Sequence, residues 1–466
     1  MSADTHHGSA DLAIIGGGAA GVLVALQALS QARGPLRIRL FEPASTLAEG
    51  IAYATPSPVH LLNVPVARMS AFPDQPLDFQ EYLQDVAAYP HDDAATLPGR
   101  FASRRHYAPY LRQRLATLAA SSTASLEVTH QAVLAVQRTA SGLRLTLADG
   151  SVCDARQMVL ACGNTPRPMP LAGADAIEST RLAEAWDHEG VRLLGGGQVV
   201  GIVGSGLSMV DSVLTLLETG HDGVIHAFSR HGLLPLPHAH GAPATFDPAP
   251  LLAMPLRQRM RALRLHVREA AASGIPWQSV MERIRPLGQA LWTSLDAADQ
   301  RRFLRHVVRY WDVHRHRIAA EVHARLQAAI GARQLQLHRA RLQGVVEDGA
   351  GLRVSAQVDG TASHWRVDAL VNATGIETRT SALRNPLLRH LLAHGMARSG
   401  PHGLGLDTRA GDGCLLDADG NADAAIGVIG TLRIGTLWET IAVPELRQQA
   451  AGVVHHALDE LQRPMP

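Results

Sequence analysis

Two stretches of the chain share one pattern: a short apolar strand, a turn of small residues, and a mostly apolar helix. The first covers residues 12–29, where almost every position is apolar or glycine. That run is long enough to raise a membrane span or a signal peptide. Gly16, Gly17, Gly18 and Gly21 split it, however, and the residues before it carry Asp4 and Asp11 but no arginine or lysine. A buried strand over 11–15, a glycine turn and a helix over 22–31 account for it better. The next strand, over 36–41, ends in Glu42. The second stretch repeats the order: a strand over 199–203, a turn from Gly204, a helix to about Glu218 and a stop at Gly220. Its following strand, over 224–228, ends in Ser229 and Arg230. Two further apolar strands run into small-residue turns, Ala161-Cys162-Gly163 and Ala373-Thr374-Gly375. Such an order predicts an α/β chain that leaves one nucleotide domain and later re-enters it.

Between 251 and 341 the period changes. Phe303, Leu304, Val307, Val308 and Trp311 fall on one helical face, and Pro276 and Pro286 mark breaks. A helical insertion over about 250–335 follows.

The two turns carry candidate chemistry. Gly16, Gly18 and Gly21 stand in G-x-G-x-x-G spacing around Ala19 and Ala20. In such a turn the first glycine makes the tight bend, the second lets pyrophosphate approach, and the third packs helix on strand. Phosphate charge then sits on the helix N-terminus. Glu42, 21 residues past Gly21, suits an unphosphorylated ribose. In the second turn Gly204, Gly206 and Ser208 keep the pattern, while Met209 replaces the third glycine. No acid ends the next strand; Ser229 and Arg230 do, and an arginine pairs with a 2′-phosphate that an acid would repel. The second cofactor is therefore expected to be NADPH.

Composition narrows the rest. All 43 basic residues are arginine, so Schiff-base chemistry on lysine, a Walker-type phosphate loop and the kinase lysine pair are excluded. Three cysteines with no CxxC pair point to a reducing, cytoplasmic setting and against a dithiol redox centre. The net charge of +1 conceals a segregation. Residues 251–341 hold 17 arginines against 6 acids, and the remainder is acidic. Those arginines are either solvated cover or a basic rim that draws in an anionic substrate or the NADPH phosphates. Neither a nucleic-acid nor a membrane partner is expected. The pairs His238/His240 and His314/His316 have no cysteine or carboxylate partner nearby, so no metal is expected there.

With both fingerprints and the Ala-Cys-Gly and Ala-Thr-Gly turns in this order, the chain resembles the bacterial FAD/NAD(P)-binding proteins related to class B flavin-dependent, N-hydroxylating monooxygenases. Segments 50–53, 60–65, 68–74 and 438–447 are similar to stretches of that family. The resemblance implies two Rossmann-like dinucleotide-binding domains. FAD would occupy residues 1–190 plus 365–466, and NADPH residues 191–364, which include the helical insertion. It further implies that Arg68, Gly163, Gly375 and Gly430 join the cofactor contacts, with Asn63 and His60 as catalytic candidates near the flavin. The Baeyer–Villiger fingerprint is broken at 181–187, which keeps Trp186 but lacks its histidine. Hydroxylation of an amine, with an acidic amino acid among the candidate substrates, is then the implied reaction: NADPH reduces FAD, oxygen adds at flavin C4a, and one oxygen atom passes to the nucleophile. An NADPH-dependent reductase without oxygen transfer, or a non-catalytic flavin-binding interaction protein, remains open as an alternative.

Overall fold

A computed structural model describes residues 6–93 and 95–463; Asp4 lies outside them. The chain divides into two compact units, one of residues 1–56, 64–165 and 378–466, the other of 57–63 and 166–377.

The first unit opens with β1 (His6–Ile15), α1 (Ala19–Gln31) and β2 (Arg37–Phe41). It continues through α2 (Asp78–Asp85), α3 (Tyr107–Ser121) and β3 (Ser125–Thr129). The hairpin β4 (Val133–Thr139) and β5 (Gly142–Leu147) leads into β6 (Val152–Leu160). β1 is central and parallel to both β2 and β6. Leu12 through Ile15 are all buried, as a parallel strand covered on both faces requires. α1 is also buried on every side from Val22 to Leu29. A helix sunk in a domain core is apolar all round, which is why this run looks like a membrane span in sequence.

The second unit contains β7 (Leu182–Glu184), α4 (His188–Leu193), β8 (Val200–Val203), α5 (Leu207–Glu218) and β9 (Ile225–Ser229). After the insertion come β10 (Leu335–Arg339), the antiparallel β11 (Arg341–Asp348), β12 (Gly351–Val358) and β13 (Thr361–Val367), then β14 (Ala369–Asn372). Its main sheet is parallel, in the order β10-β9-β8-β14-β7. This order moves the expected boundaries. Residues 166–190 and 365–377 were assigned to the FAD domain, but β14 bonds to β8 on one side and β7 on the other, so both segments belong to the second unit.

The insertion consists of α6 (Leu256–Ala272), α7 (Trp277–Ile284), α8 (Gly288–Thr293), α9 (Ala297–Arg302), α10 (Val308–Arg315) and α11 (Ala320–Gly331). Pro276 precedes α7, and Pro286 sits in a tight turn before α8. A wide π-type turn, Phe303–Val307, joins α9 to α10, and the face from Phe303 to Trp311 points inward as its period predicts. Leu251, Leu263, Val280, Ile284 and Leu291 form its core. Not all of its arginines are surface charge. Arg259 is buried and donates to the carbonyls of Met254 (3.0 Å), Leu252 (3.3 Å) and Leu291. Arg317 is buried against Glu282. Arg257, Arg261, Arg264 and Arg268, by contrast, form one exposed stripe along α6.

The chain then returns to the first unit with α12 (Pro386–Ala393), β15 (Cys414–Leu416), β16 (Ala422–Val428), α13 (Ile434–Leu437) and α14 (Val443–Gln462). β16 adds to β6 in parallel, and β15 closes that edge antiparallel. Among the described residues no helix is long and apolar enough to cross a membrane.

Candidate functional site

The same turn is built twice. In the first unit Gly16 takes φ +106°, and its N–H donates to the Phe41 carbonyl at 2.8 Å. A Cβ there would lie 2.3 Å from the carbonyl oxygen of Ala161, at the end of the neighbouring β6. In the second unit Gly204 takes φ +121° and donates to the Phe228 carbonyl at 2.9 Å; its Cβ would lie 2.2 Å from the Ala373 oxygen, after β14. The Ala-Cys-Gly and Ala-Thr-Gly turns are thus the floors beneath the two glycine turns. Gly163 and Gly375, next in those turns, have φ of +72° and +86° and open space where a Cβ would be.

Each turn feeds a helix whose first N–H groups receive no side-chain cap: Gly18 caps α1 and Gly206 caps α5 with backbone alone. A Cβ on Gly206 would meet nothing within 4 Å, and one on Gly18 would meet only Gly50. Uncapped N–H groups beside open space suit a pyrophosphate. These cradles fit dinucleotides.

The units differ where the helix leaves the turn. A Cβ on Gly21 would lie 1.8 Å from the Gly16 oxygen, so only glycine fits. Met209, at the equivalent point, is fully buried and packs α5 through a side chain. Ala19 and Ala20 open α1, the first buried and the second half-buried; Ser208 lies in the first turn of α5, half-buried.

The strand ends carry opposite charge. Glu42 accepts from Gly17 N at 2.7 Å and Ala44 N at 3.0 Å, so its carboxylate is held at the glycine turn. In the second unit Ser229 pairs with Arg339 across β9 and β10, and the Ser229 hydroxyl accepts from Gly232 N at 3.0 Å. Arg230 is exposed beside them. Burial, and then the nearby Arg230, Arg309 and Arg339, push the neighbouring His231 below its usual range, which marks this end as cationic. Arg309 and Arg339 were not singled out in sequence, since Arg309 lies 79 positions after Arg230.

Segments 68–74 and 438–447 meet inside the first unit, where Arg447 donates to the Ser70 carbonyl at 2.9 Å. Arg68 is exposed at the end of a short turn, Val66–Arg68. Gly430, buried with φ +79°, donates to Gln449 Oε1 at 3.1 Å. Trp438 takes φ +62° and ψ −61°, a conformation a bulky residue adopts only under constraint. Burial pushes the half-buried Cys162 thiol up to about 12, so it is no thiolate nucleophile.

His60 and Asn63 require a correction. Both belong to the second unit. The His60 ring is fully buried, with Nε2 donating to the Asp211 carbonyl at 3.1 Å and within 2.9 Å of the Thr215 hydroxyl. Its Nε2 is thus engaged with α5 and its ring is out of solvent, an arrangement that suits a positioning residue better than the catalytic role expected of it. Asn63 is half-buried, and its carbonyl accepts from His238 Nε2 at 3.1 Å. Burial and the Arg317 charge hold His238 down to about 4, so it is neutral and structural.

Residues 13–165 match the family described as FAD-NAD(P)-binding. No curated protein matches the chain by sequence. Among solved structures it is similar to an ornithine hydroxylase of Pseudomonas aeruginosa, at 18% identity and TM-score 0.66, covering 97% of this chain and 100% of the other. It is similar also to L-lysine 6-monooxygenase of Pseudomonas syringae, at 18% identity and TM-score 0.65, covering 97% and 100%. A bacillithiol disulfide reductase of Staphylococcus aureus shares the fold at 13% identity and TM-score 0.58, covering 97% and 99%. The chain therefore carries an FAD-NAD(P)-binding domain within a two-unit flavoprotein fold.

Proposed function

We propose that this protein is a cytoplasmic FAD- and NADPH-dependent monooxygenase that hydroxylates the nitrogen of a small amine. The observation that carries it is the doubled cradle with opposite ends: a carboxylate, Glu42, at the first and an arginine pair, Arg230 and Arg339, at the second. A carboxylate there accepts from ribose hydroxyls and repels a 2′-phosphate; arginines do the reverse. One chain is thus equipped for FAD and NADPH together. The ornithine and lysine enzymes of the same fold extend this to an amine substrate and molecular oxygen.

When bound, FAD supplies the redox and oxygen chemistry. The protein holds and shields it. Gly16, Gly18 and Gly21 admit the pyrophosphate to the start of α1, with Ala19 and Ala20 beside it, and Glu42 fixes the ribose. Gly163, Gly430 and Arg68 would add further FAD contacts. Gly204, Gly206 and Ser208 receive the second pyrophosphate, Gly375 leaves room for it, and Ser229 and Arg230 hold the far phosphate. Asn63 offers a side-chain amide to cofactor or substrate. His60 is a positioning residue that fixes the segment carrying Asn63 to α5. The exposed arginine stripe of α6 favours a substrate that also bears a carboxylate, by long-range attraction.

Product accounting tests the proposal. The FAD-loaded protein is given NADPH, oxygen and, in turn, ornithine, lysine and cadaverine, and hydroxylamine and hydrogen peroxide are both measured. Hydroxylamine matching NADPH consumption supports it. NADPH consumed with peroxide alone would leave a reductase, the class of the bacillithiol enzyme that shares the fold. No NADPH consumption would leave a non-catalytic binder.

A further inference from the structure

A second constellation lies in the first unit, outside both cradles. Asp412, Cys414 and His456 bring a carboxylate oxygen, a thiol sulfur and a ring nitrogen within 4.8 Å of one another. Cys414 Sγ lies 3.1 Å from His456 Nε2. These are three ligand types that a divalent transition metal takes, drawn from two elements 42 residues apart.

Their placement is well determined. Asp412 and Cys414 come from the turn that enters β15. Gly413 between them takes φ +79°, and a Cβ on it would lie 2.9 Å from the Val428 carbonyl oxygen. The Asp412 carboxylate also accepts from Cys414 N at 3.1 Å, which fixes its orientation. Buried Arg433 holds the start of the turn, donating to the carbonyls of Arg409 (3.2 Å) and Ala410 (2.8 Å). His456 projects from α14, which packs over the sheet edge. The sulfur is buried, whereas the Asp412 side chain is 25% exposed. One side of the group therefore faces solvent.

That side is covered by Arg409. Its guanidinium contacts two of the three ligand positions, Asp412 (Nε to Oδ2, 2.7 Å) and Cys414 Sγ (3.5 Å). Arg409 is itself half-exposed and can swing out. A guanidinium bridging a carboxylate and a thiol supplies the positive charge that a divalent cation would bring.

We propose that Asp412, Cys414 and His456 form a binding site for a zinc-class divalent metal, with Arg409 as the displaceable cation that covers it. Tetrahedral coordination at about 2.0–2.3 Å would place neighbouring ligand atoms about 3.5 Å apart, a small adjustment from the distances seen. Three protein ligands leave a fourth position for water. Binding is balanced by release of one proton: the Cys414 S–H becomes a thiolate bonded to the metal, and His456 binds as neutral imidazole. The ion would staple β15 to α14 across the sheet edge.

The test uses the full FAD-loaded chain, freed of metal by a chelator and titrated with cobalt(II), then zinc(II). Cobalt with tetrahedral geometry and a sulfur ligand absorbs strongly in the red, where oxidised flavin is silent. One equivalent of cobalt giving that band, displaced by zinc, is expected. Zinc-edge X-ray absorption should then show one sulfur neighbour. Cys414→Ser should abolish the band, and His456→Gln should weaken binding about tenfold or more. Arg409→Gln should tighten binding, because it removes the competing cation. Neither surface histidines nor the other two cysteines would give that result. A red band that survives Cys414→Ser, zinc without a sulfur neighbour, or binding unchanged by Arg409→Gln would each overturn the proposal. Binding only at a large excess of metal would mark an adventitious ion only, and would overturn it too.

Discussion

The backbone N–H of Gly17 donates to the Glu42 carboxylate at 2.7 Å, so the glycine turn after β1 and the end of β2 are locked to each other before any ligand arrives. Glu42 thereby holds the turn's shape and, on the proposed function, presents its carboxylate to a ribose. Replacing it with glutamine keeps the size but exchanges a charged acceptor for a neutral amide. A hydrogen bond to a charged group contributes about 1.5–3 kcal/mol, so FAD affinity of Glu42→Gln should fall about 10- to 100-fold. Flavin fluorescence titration of the stripped protein measures this. An unchanged affinity would remove Glu42 from the site.

The two turns should answer differently to an added methyl group. Gly21→Ala places carbon 1.8 Å from the Gly16 oxygen, which forces α1 away from the strand. Gly206→Ala points into open space. The first should lose flavin and several degrees of thermal stability; the second should fold with normal flavin content and show only weaker NADPH binding. If both retain flavin and melt alike, the close approach at Gly21 is not needed for the fold.

Those turns were legible because they are local. Strand, glycines and helix stand within 26 positions in the first unit and 19 in the second, so their order can be read directly along the chain. What stayed hidden depends on distant partners. β14 gives no sign in its own residues that it will lie between β8 and β7, so the boundary expected at residue 365 differs from the edge of the compact unit. His60 reads as an available imidazole until α5, some 150 positions later, buries it. Cys414 looks like a lone cysteine until His456 arrives from α14. Charge counts also mislead, because an arginine that binds three carbonyls in a core has the same letter as one in solvent.

Coenzyme choice should turn on Arg230. It follows Ser229, whose partner across β9 and β10 is Arg339, and on the proposed function the phosphate that distinguishes NADPH from NADH would lie there. In Arg230→Ala, kcat/KM for NADPH should fall about 10- to 100-fold while that for NADH holds. Steady-state oxidation of each nucleotide gives the ratio. If the ratio does not move, the phosphate is held elsewhere.

Acid should unfold the second unit through buried histidines. Burial and the Arg317 charge hold His238 down to about 4, and burial and then His226 do the same for His338. An unfolded histidine titrates near 6.5. Between those values the unfolded chain binds protons that the folded chain refuses. Stability contributed by these groups is therefore complete above about pH 6.5 and is lost as pH falls toward about 4. Urea midpoints followed across that window should drop less steeply in His238→Gln, which keeps a donor for the Asn63 carbonyl. An equal slope in both proteins would mean that His238 is protonated when folded.

The absence of lysine has a structural counterpart at Arg259. Its planar fork donates to the carbonyls of Met254, Leu252 and Leu291 and reaches the Ser294 hydroxyl at 3.2 Å, closing the core of the helical insertion around one buried cation. Desolvation alone disfavours a buried charge; satisfying several acceptors at once offsets it, and only a guanidinium has enough donors in that geometry. Arg259→Lys keeps the charge but cannot reach all four acceptors, while Arg259→Leu removes the charge and leaves the carbonyls unpaired. Each buried unpaired acceptor costs about 1–3 kcal/mol, so both variants should lose about 3 kcal/mol or more. Exposed Arg301→Gln should change stability by less than about 0.5 kcal/mol. Chemical unfolding of the three variants side by side decides the matter: a mild Arg259→Lys would show that charge, not the fork, holds the insertion together.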